Sequence, residues 1–375
     1  MKILLSGGGT GGHVNPALAI GEAIEKHDPA AEIHYVGTPG GIENRLVPAK
    51  YPMHHVEIQG LRRRLTLENV KTAVLTVKAF RAAEKLLQQL KPDAVIGTGG
   101  YVCWPVCAAA ASKGIPCFLH ESNAEPGFAV KMLERKADVI FVNFAKTAEK
   151  LPNAKETLHV GTPLKSGYYT WDKESARREL RIPAGCRKVV LSFGGSLGAQ
   201  KLNEEMLGVF ENYGKKHPEV LFFHAAGDRC KEEFAVAFEK TGLKDCPNIR
   251  CSDYIYDMPK YMAAADLVIC RSGAMTLSEI SVMGKPSVLI PSPNVTNDQQ
   301  TKNARLLSDK GAAVLLKESE LSENRLSDEV ARLLSSGKEL ENMGMAAKGF
   351  AVRNAEETIF RKIAEVVEEK KKRKK

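Results

Sequence analysis

Short runs of β-branched and aliphatic residues alternate with longer stretches of helical periodicity through most of the chain. This alternation is typical of α/β proteins, in which helices connect the strands of parallel sheets. The first half predicts helices that begin near Pro16, Glu68, Tyr101 and Pro126, and strands near Ile3, Ile33, Val56, Val95, Phe118, Ile140 and His159. The second half predicts strands at residues 189–193 and near Leu221, Ile249, Val268, Val288 and Val314, with helices after Gly198, Lys231, Met258, Gly273 and Asp298.

A stretch rich in glycine and proline at residues 161–167 interrupts this alternation, which then restarts. A chain of 375 residues also exceeds what one hydrophobic core usually organises. We therefore expect an α/β fold of two Rossmann-like parallel-sheet domains that face a cleft. The first is expected at 1–161 and the second at 162–345, with a C-terminal helix at about 346–369 that packs back on the first domain, and a basic tail at 370–375.

The net charge of +9 is concentrated at the C-terminus, where the last six residues are all Lys or Arg. Without them the net charge is +3. A nearly balanced body with a basic tail fits a solvated terminus first, a contact with an anionic membrane second and nucleic acid third. The apolar content of 43% and the charged content of 26% are ordinary for a globular protein and argue against a disordered or fibrous chain.

The eight cysteines include no C-x-x-C pair and mostly lie in apolar runs. This pattern predicts small buried side chains in a reducing compartment, and a metal site is the weaker interpretation. The chain opens on a strand pattern where a secretion signal would need a longer apolar run, so we expect no export. The uncharged stretch 94–112 has the length of a membrane span, but its glycines and Pro105 favour a strand, a turn and a buried helix.

Three glycine-rich turns, at residues 7–13, 97–101 and 194–200, each follow a predicted strand and precede a predicted helix. Glycine lets the backbone approach a ligand closely, and a helix N-terminus adds free N–H groups and partial positive charge. Such turns suit a phosphate or a sugar phosphate, and Ser196 in the third could add a hydroxyl contact. A plain strand-to-helix connection is the alternative, chiefly for the middle turn.

The first turn matches the dinucleotide fingerprint G-x-G-x-x-G, so a nicotinamide-dependent enzyme is a competing interpretation. That fingerprint requires an acidic residue at the end of the second strand, whereas the nearest acid, Glu32, lies at its beginning. A P-loop fails because His13 and Val14 stand where Lys and Ser or Thr are required. The residues therefore favour neither a nicotinamide-dependent enzyme nor a P-loop protein.

A fourth connection, residues 270–279, also runs from a strand into a helix. Its helix N-terminus and Arg271 could stabilise the negative charge on a departing diphosphate. Glu279 could accept hydrogen bonds from both hydroxyls of a ribose, and an exposed glutamate that only supports its helix is the alternative. The chain contains no Asp-x-Asp pair of the kind that holds a metal in many sugar-nucleotide enzymes, so we expect no protein-bound metal.

The motifs and their order along the chain resemble those of the MurG family of glycosyltransferases, which has the two-domain fold called GT-B. These motifs are the glycine turns and residues 120–123, 271–279 and 298–300. The resemblance covers essentially the whole chain. It implies an inverting enzyme that moves GlcNAc from UDP-GlcNAc to the C4 hydroxyl of MurNAc in lipid I. Lipid I is a MurNAc-pentapeptide on undecaprenyl diphosphate, and the product is lipid II for peptidoglycan synthesis, so the resemblance also implies roles in cell shape and division. A diacylglycerol or sterol-type GT-B lipid glycosyltransferase is the close alternative, and a non-enzymatic sugar-nucleotide or nucleic-acid binder is the distant one.

The resemblance also implies which residues contact substrates. It assigns the diphosphate to Ser196, the uracil edge to the backbone of Ile255, and the GlcNAc to Asn123. It places the acceptor beside Gly99, Gly100 and Tyr101. The full set of substrate positions is Thr10, Gly11, Gly12, Asn123, Lys165, Ser196, Ile255, Arg271, Ala274, Met275, Thr276, Leu277, Ser278, Glu279, Gln299 and Gln300.

Two positions depart from the family pattern. Lys165 stands where the family usually has arginine, so a fork-shaped contact becomes a point charge. Ser122 stands where a glutamine is common, which changes one polar contact.

Transfer with inversion requires a base for the acceptor hydroxyl and stabilisation of the departing UDP. His13 is the first candidate for the base, because imidazole titrates near neutral pH. A structural histidine that bonds only to backbone groups is the alternative, and Glu121 is the reserve base. Since UDP-GlcNAc is a substrate, we expect no cofactor.

A lipid-linked acceptor requires contact with a membrane. Residues 61–67 place three arginines between leucines and lead into a helix with Val74, Val77 and Phe80 beside Lys78 and Arg81. This pattern suits a surface that dips into anionic headgroups, although a helix that packs on its own sheet would show it too. We expect a peripheral protein at the cytoplasmic face of the cell membrane, with UDP-GlcNAc, the undecaprenyl-linked acceptor and the anionic membrane surface as partners, and no nucleic acid.

Overall fold

The structure is a computed structural model that describes residues 1–59, 67–322 and 324–374. The chain forms two compact units. The first unit comprises Met1–Pro163 and Val352–Lys375, and the second comprises Leu164–Ala351.

The first unit is built on a parallel sheet of seven strands in the order β3-β2-β1-β4-β5-β6-β7. The strands are β1 (Lys2–Gly7), β2 (Glu32–Gly37), β3 (Met53–His55), β4 (Ala94–Gly99), β5 (Cys117–Glu121), β6 (Val139–Val142) and β7 (Thr157–His159). The helices are α1 (Gly11–His27), α2 (Glu43–Leu46), α3 (Leu67–Leu90), α4 (Cys103–Ser112), α5 (Phe128–Leu133) and α6 (Ala145–Ala148). Alternate residues of β1 point to opposite faces, so Ile3 and Leu5 enter one apolar core and Leu4 enters another.

The second unit is built on a parallel sheet of six strands in the order β10-β9-β8-β11-β12-β13. The strands are β8 (Lys188–Phe193), β9 (Val220–Ala225), β10 (Ile249–Ser252), β11 (Leu267–Cys270), β12 (Ser287–Leu289) and β13 (Val314–Leu315). The helices are α7 (Gly167–Thr170), α8 (Lys173–Glu179), α9 (Gln200–Asn212), α10 (Lys231–Lys240), α11 (Met258–Ala264), α12 (Ala274–Met283), α13 (Gln299–Ser308), α14 (Arg325–Ser335) and α15 (Gly337–Lys348). Its main core packs Leu202, Phe210, Phe222, Ile269 and Val330 together.

These two sheets confirm the predicted fold class of two parallel-sheet α/β domains. Both strand orders reverse direction next to the first strand of the unit, between β1 and β4 and between β8 and β11. In open parallel sheets, ligands bind outside the carboxyl ends of the strands at such a reversal. The four glycine-rich or strand-to-helix connections singled out in the sequence follow these four strands.

The start of the first helix differs from the sequence prediction. α1 begins at Gly11 rather than near Pro16, because the amide groups of His13 and Val14 bond to the carbonyl of Thr10. Pro16 therefore lies inside the helix, in its second turn. As a result, Gly11, Gly12 and His13 belong to the first helical turn and not to a loop.

The C-terminal helix, α16 (Ala355–Lys374), also differs from the expected range of 346–369. α15 ends at Lys348, and a short non-helical segment separates the two helices. Ile359, Ile363 and Val367 of α16 enter the core of the first unit that contains Ile3. The apolar stripe of α16 thus packs on the first unit.

The basic C-terminal residues were expected to be a solvated tail, and the structure departs from this expectation at Lys370 and Lys371. α16 continues through Lys374. The Nζ of Lys370 lies 2.6 Å from Asp138, and the Nζ of Lys371 lies 2.7 Å from Asp93. Two of the terminal charges are therefore neutralised within the first unit.

None of the helices in the described ranges is both long enough and apolar enough to cross a bilayer. The eight cysteines are free thiols, of which Cys103, Cys107, Cys117 and Cys270 are buried and the other four are half-buried. The arginine triplet at residues 62–64 lies outside the described residues.

Candidate functional site

The first and second glycine turns lie side by side at the strand reversal of the first unit. The amide of Gly8 donates a hydrogen bond to the carbonyl of Gly99 at 3.3 Å. Gly100 has a φ of +83°, and a Cβ there would lie 2.3 Å from the Gly8 carbonyl oxygen. Only glycine tolerates both the conformation and the approach, so the two turns form one backbone surface.

His13 projects from the first turn of α1 onto this surface. Its Nδ1 donates a hydrogen bond to the Gly8 carbonyl at 3.0 Å and lies 3.3 Å from the Thr10 hydroxyl. The ring lies over Gly99, where a Cβ would come within 2.9 Å of Nε2. Because the carbonyl can only accept, Nδ1 carries the proton, and Nε2 holds the lone pair.

Burial lowers the pKa of His13, and the Gly8 contact and the charge of Glu43 act in the opposite direction. The imidazole is therefore neutral at pH 7. A neutral ring with a fixed tautomer and an available Nε2 has the chemistry of a general base.

Three residues that the sequence did not single out hold this arrangement. The hydroxyl of Thr98 donates to the His13 carbonyl at 2.6 Å, and the phenol of Tyr35 donates to the Gly7 carbonyl at 2.7 Å. The third is Glu43, whose carboxylate accepts from the amides of Gly9 and Thr38. A carboxylate therefore does lie at the end of β2, but it comes from α2 and bonds to the turn itself.

Glu121, the reserve base, is buried at the end of β5. Its Oε1 accepts from the amide and side chain of Asn123 at 2.9 and 3.1 Å, and its Oε2 accepts from the amide of Gly127 at 2.7 Å. Burial raises its pKa, and these hydrogen bonds act in the opposite direction. Both oxygens shape the connection from β5 to α5, and Asn123 is oriented by them.

In the second unit, the third glycine turn leads from β8 to α9. Gly198 packs on the segment after β9, where a Cβ would lie 2.2 Å from the Ala226 carbonyl oxygen. The amide of Asp228 donates to the Ser196 carbonyl at 3.2 Å. The Ser196 side chain is exposed, so its hydroxyl and the backbone of the turn face solvent.

Arg271 follows β11 and has a different set of partners from the diphosphate that the sequence suggested. Its NH1 donates to the carbonyls of Ile290 and Pro291, each at 3.1 Å, and its NH2 pairs with Glu318. The guanidinium thus joins the end of β11 to the segment after β12. A diphosphate contact through this side chain would require it to leave these partners.

α12 starts at the carboxyl end of β11 and carries six of the predicted substrate positions, Ala274 to Glu279. Ala274 and Leu277 are buried in the core, whereas Met275, Thr276, Ser278 and Glu279 are half-buried. The N-terminal amides of this helix are the groups that an anion would meet first.

Glu279 lies beside Tyr168 and Lys165. The Tyr168 phenol and the Lys165 charge both act to favour the ionised carboxylate. Burial nevertheless raises the pKa of Glu279 to about 7, with both neighbours acting in the opposite direction. The carboxyl group is therefore about half protonated at neutral pH, and its ionised form can accept further hydrogen bonds.

Gln299 and Gln300 open α13. The two residues before them, Asn297 and Asp298, have φ values of +59° and +52°, which is uncommon outside glycine. The Gln300 side-chain oxygen accepts from the Ser292 amide at 2.8 Å. Next to this corner is an open cavity of about 510 Å³ lined by Lys201, Pro291, Pro293, Asp298, Thr301, Lys317, Glu318 and Ser319.

The structure therefore gathers the expected residues into one set in each unit. In the first unit, Thr10 to His13, the turn with Gly99, Gly100 and Tyr101, and the pair Glu121 and Asn123 follow neighbouring strands of the sheet. In the second unit, Ser196, the buried Ile255, α12 and the start of α13 follow β8, β10, β11 and β12. Within the described parts of the chain, no three His, Cys, Asp or Glu side chains are grouped so that they could hold a metal.

Comparison with known protein families finds a match for each of the two units. Residues 3–142 match the glycosyltransferase family 28 N-terminal domain, and residues 189–359 match the glycosyltransferase family 28 C-terminal domain. These matches and the two parallel-sheet units together define a glycosyltransferase with a GT-B fold.

Comparison with individual relatives shows the family to which the chain belongs within this class of glycosyltransferases. The chain is 39% identical over 361 residues to an enzyme of Bacillus cytotoxicus, covering 96% of this chain and 98% of the relative. It is 40% identical over 363 residues to an enzyme of Desulforudis audaxviator, covering 96% and 97%. Both are UDP-N-acetylglucosamine--N-acetylmuramyl-(pentapeptide) pyrophosphoryl-undecaprenol N-acetylglucosamine transferases. The crystal structure of Acinetobacter baumannii MurG superimposes with a TM-score of 0.76 and 31% identity, covering 97% of this chain and 99% of that one. The chain belongs to the MurG family of glycosyltransferases.

Proposed function

We propose that the protein transfers GlcNAc from UDP-GlcNAc to the C4 hydroxyl of MurNAc in an undecaprenyl-diphosphate-linked MurNAc-pentapeptide, with inversion at the anomeric carbon. The observation that carries this proposal is the division of chemistry between the units. The first unit holds a neutral imidazole at its strand reversal, with the proton on Nδ1 and the lone pair on Nε2. The second holds a helix N-terminus and a half-buried carboxylate at the equivalent place. The printed activity of the relatives supplies the substrates.

The donor is bound by the second unit in this proposal. The diphosphate is held by the backbone and hydroxyl of Ser196 and by the first amides of α12, without a protein-bound metal. Arg271 acts indirectly, because its contacts with Ile290, Pro291 and Glu318 fix the corner that precedes α13. Glu279 accepts the ribose hydroxyls, Gln299 and Gln300 hold sugar hydroxyls, and the backbone of Ile255 meets the uracil.

The acceptor is bound by the first unit, which includes the turn at Gly99 to Tyr101. The C4 oxygen of MurNAc attacks the anomeric carbon of GlcNAc and forms the new glycosidic bond. His13 Nε2 takes the proton of that hydroxyl. The bond between the anomeric carbon and the phosphate oxygen breaks, and its electron pair leaves with UDP, whose charge the α12 N-terminus stabilises. Glu121 orients Asn123 rather than serving as the base.

The test is transfer of radiolabelled GlcNAc from UDP-GlcNAc to the lipid-linked MurNAc-pentapeptide by the wild type, His13→Ala and Glu279→Ala. We expect labelled disaccharide lipid from the wild type, a loss mainly in kcat for His13→Ala, and a rise mainly in the KM for UDP-GlcNAc for Glu279→Ala. An unchanged rate in EDTA would agree with metal-free donor binding. Transfer to diacylglycerol in place of this acceptor would move the assignment to another lipid glycosyltransferase.

For the membrane surface we propose the outward face of α3. Ala79, Ala83 and Leu87 pack into the core of the first unit, so α3 does pack on its own domain. Val74 and Val77 nevertheless remain 52% and 54% exposed. Lys78 and Arg81 are exposed on the same face, because residues three and four apart lie side by side on a helix. Apolar side chains flanked by cations suit an anionic lipid surface at the cytoplasmic face of the membrane.

Vesicle sedimentation tests this surface. We expect the protein to bind vesicles that contain phosphatidylglycerol more tightly than vesicles of phosphatidylcholine alone. The double substitution Val74→Glu with Val77→Glu should weaken that binding. Val236→Glu is the matched control, because Val236 is 55% exposed on α10 of the second unit. Equal loss in the control, or no loss in the double variant, would count against the α3 surface.

A further inference from the structure

Glu43 is a charged side chain with no solvent exposure, at the start of α2 in the first unit. Its Oε1 accepts hydrogen bonds from the amide and hydroxyl of Thr38 at 2.7 and 2.9 Å. Its Oε2 accepts from the amide of Gly9 at 3.2 Å. Burying an ionised carboxylate is costly unless its oxygens are bonded, so these three donors are what allow it to remain there.

The backbone around Glu43 is shaped to admit this carboxylate. A Cβ at Gly8 would lie 2.8 Å from Oε1, and a Cβ at Gly41 would lie 2.0 Å from it. At Gly37 a Cβ would lie 2.4 Å from the Glu43 Cγ. Three glycines, one from the turn after β1, one at the end of β2 and one from the connection between β2 and α2, thus pack against one side chain.

The Glu43 contact and the His13 contact use the same peptide group. The N–H group that donates a hydrogen bond to Glu43 belongs to the peptide bond between Gly8 and Gly9. The C=O group of the same peptide bond accepts a hydrogen bond from the Nδ1–H of His13. No cis peptide occurs in the described chain, so this N–H and C=O point in opposite directions. The carboxylate, the peptide and the imidazole form one chain of hydrogen bonds.

We propose that Glu43 is a positioning residue that acts on His13 through the single peptide group between Gly8 and Gly9. Its negative charge polarises that peptide, which strengthens the carbonyl as an acceptor for Nδ1–H. This fixes the ring and its tautomer and leaves Nε2 as the basic nitrogen, which is the role that a directly bonded carboxylate has in hydrolytic triads.

The surroundings are consistent with an effect of this carboxylate on the imidazole. Among the described residues, the groups that act on the His13 ring are the Gly8 carbonyl, the Thr10 hydroxyl and Glu43, and of these Glu43 carries a charge. The other titratable group beside Glu43 is Tyr35, which stays neutral because burial raises its pKa. The charge of Glu43 acts to raise the pKa of His13. This inference rests on the proposal that His13 is the base.

Glu43→Gln is the sharpest test. The glutamine oxygen can keep both bonds from Thr38, but an NH2 group then faces the Gly9 amide, where two donors meet. We expect kcat to fall roughly 10-fold to 100-fold, which is the scale of a displaced catalytic group, with the KM for UDP-GlcNAc nearly unchanged. The acidic limb of the kcat profile should move to lower pH, because the loss of negative charge lowers the pKa of the imidazole.

Two further measurements separate this role from a general loss of structure. The imidazole pKa of His13 can be followed by NMR, with His13→Gln used to assign its signal, and it should fall in Glu43→Gln. Glu134→Gln is the matched control, because Glu134 is also a buried carboxylate of the first unit that accepts from a backbone amide, that of Asn153. It should leave both the His13 pKa and kcat unchanged. If Glu43→Gln does not fold, Glu43→Asp withdraws the carboxylate from Gly9 and should lower kcat in the same way.

The outcomes are distinguishable from a failure of the proposed base. Full kcat in His13→Gln would remove His13 as the base, while a shifted His13 pKa in Glu43→Gln would still support the link between the two residues. An unchanged His13 pKa together with an unchanged kcat in Glu43→Gln would overturn the inference. A rise in the KM for UDP-GlcNAc without loss of kcat would overturn it as well.

Discussion

Tyr168 lies beside Glu279 in the second unit, where its phenol acts to favour the ionised form of the carboxylate. Tyr168 is buried on the short helix α7, just after the segment that enters the second unit, and α7 packs against both α11 and α12. The chain entering the unit thereby contacts the residue proposed to hold the ribose. If Glu279 holds the ribose as proposed, we expect donor binding to depend on this contact as well as on the helix that carries Glu279.

Removing the phenol should weaken donor binding. In Tyr168→Phe the carboxylate loses the neighbouring phenol that favours its ionised form, so its pKa rises further and less of it is ionised at pH 7. We expect the KM for UDP-GlcNAc to rise roughly 5-fold at pH 7, equivalent to about 1 kcal/mol, and the defect to shrink at pH 9. Steady-state kinetics at both pH values measures this. Tyr213→Phe, just after the C-terminal end of α9, should behave as the wild type.

The wild-type enzyme should itself show pH-dependent donor binding. The pKa of Glu279 is about 7, so the carboxylate gains a proton as the pH falls through neutrality. The protonated form accepts the two ribose hydroxyls less well, and the KM for UDP-GlcNAc should therefore be low and constant above about pH 8 and rise below pH 7. In Glu279→Gln the KM should be high at all pH values. The same pH profile in both proteins would show that another group is responsible.

A methyl group at position 99 should prevent His13 from acting as the proposed base. Gly99 has a φ of +111°, and a Cβ there would lie 2.6 Å from His13 Cδ2. In Gly99→Ala we expect a fall in kcat of about 100-fold, because the ring must move. The strained backbone should also lower the free energy of unfolding by roughly 1–3 kcal/mol.

Gly114→Ala separates these two effects. Gly114 has a φ of +65° and no atom within 4 Å of a built Cβ. It should lower the melting temperature through backbone strain alone and leave kcat unchanged. If both variants lose the same activity, the effect at position 99 is one of stability and not of His13 placement.

The last turns of α16 should stabilise the first unit in a pH-dependent manner. Burial acts to raise the pKa of Asp138, but Lys370 and the Cys117 amide outweigh it and hold the pKa below its usual value. The stabilisation is therefore present at neutral pH and is lost as the pH falls through the depressed pKa. Lys370→Ala with Lys371→Ala should lower the free energy of unfolding by about 1 kcal/mol at pH 7. Chemical denaturation should show this difference vanish in acid.

Lys372→Ala is the control for that experiment. Lys372 is 74% exposed and pairs only along its own helix, with Glu368. We expect no measurable change in stability from this substitution. A similar loss in Lys372→Ala would mean that the helix, and not the two ion pairs, is responsible.

Much of the fold was predictable because its signals are local. Strand patterns, such as that of residues 2–6, and helix patterns, such as that of residues 274–283, depend on residues that are close together in the sequence. The glycine turns after β1, β4 and β8 were visible for the same reason, and so was the order of motifs that the MurG family shares. The boundaries were less certain: α1 starts at Gly11 because backbone bonds to Thr10 outweigh the helix-start signal at Pro16.

By itself, then, the sequence determined the alternation of strands and helices, the turns that can approach a ligand, and the family. Only the tertiary structure decided which charged side chains contact those turns. Glu43 is 34 residues from Gly9, and the structure alone pairs Arg271 with Glu318 and places Tyr168 beside Glu279. Contacts between residues this far apart leave no periodicity in the chain, because they depend on how strands stack in the sheet and on which side chain is buried where they meet.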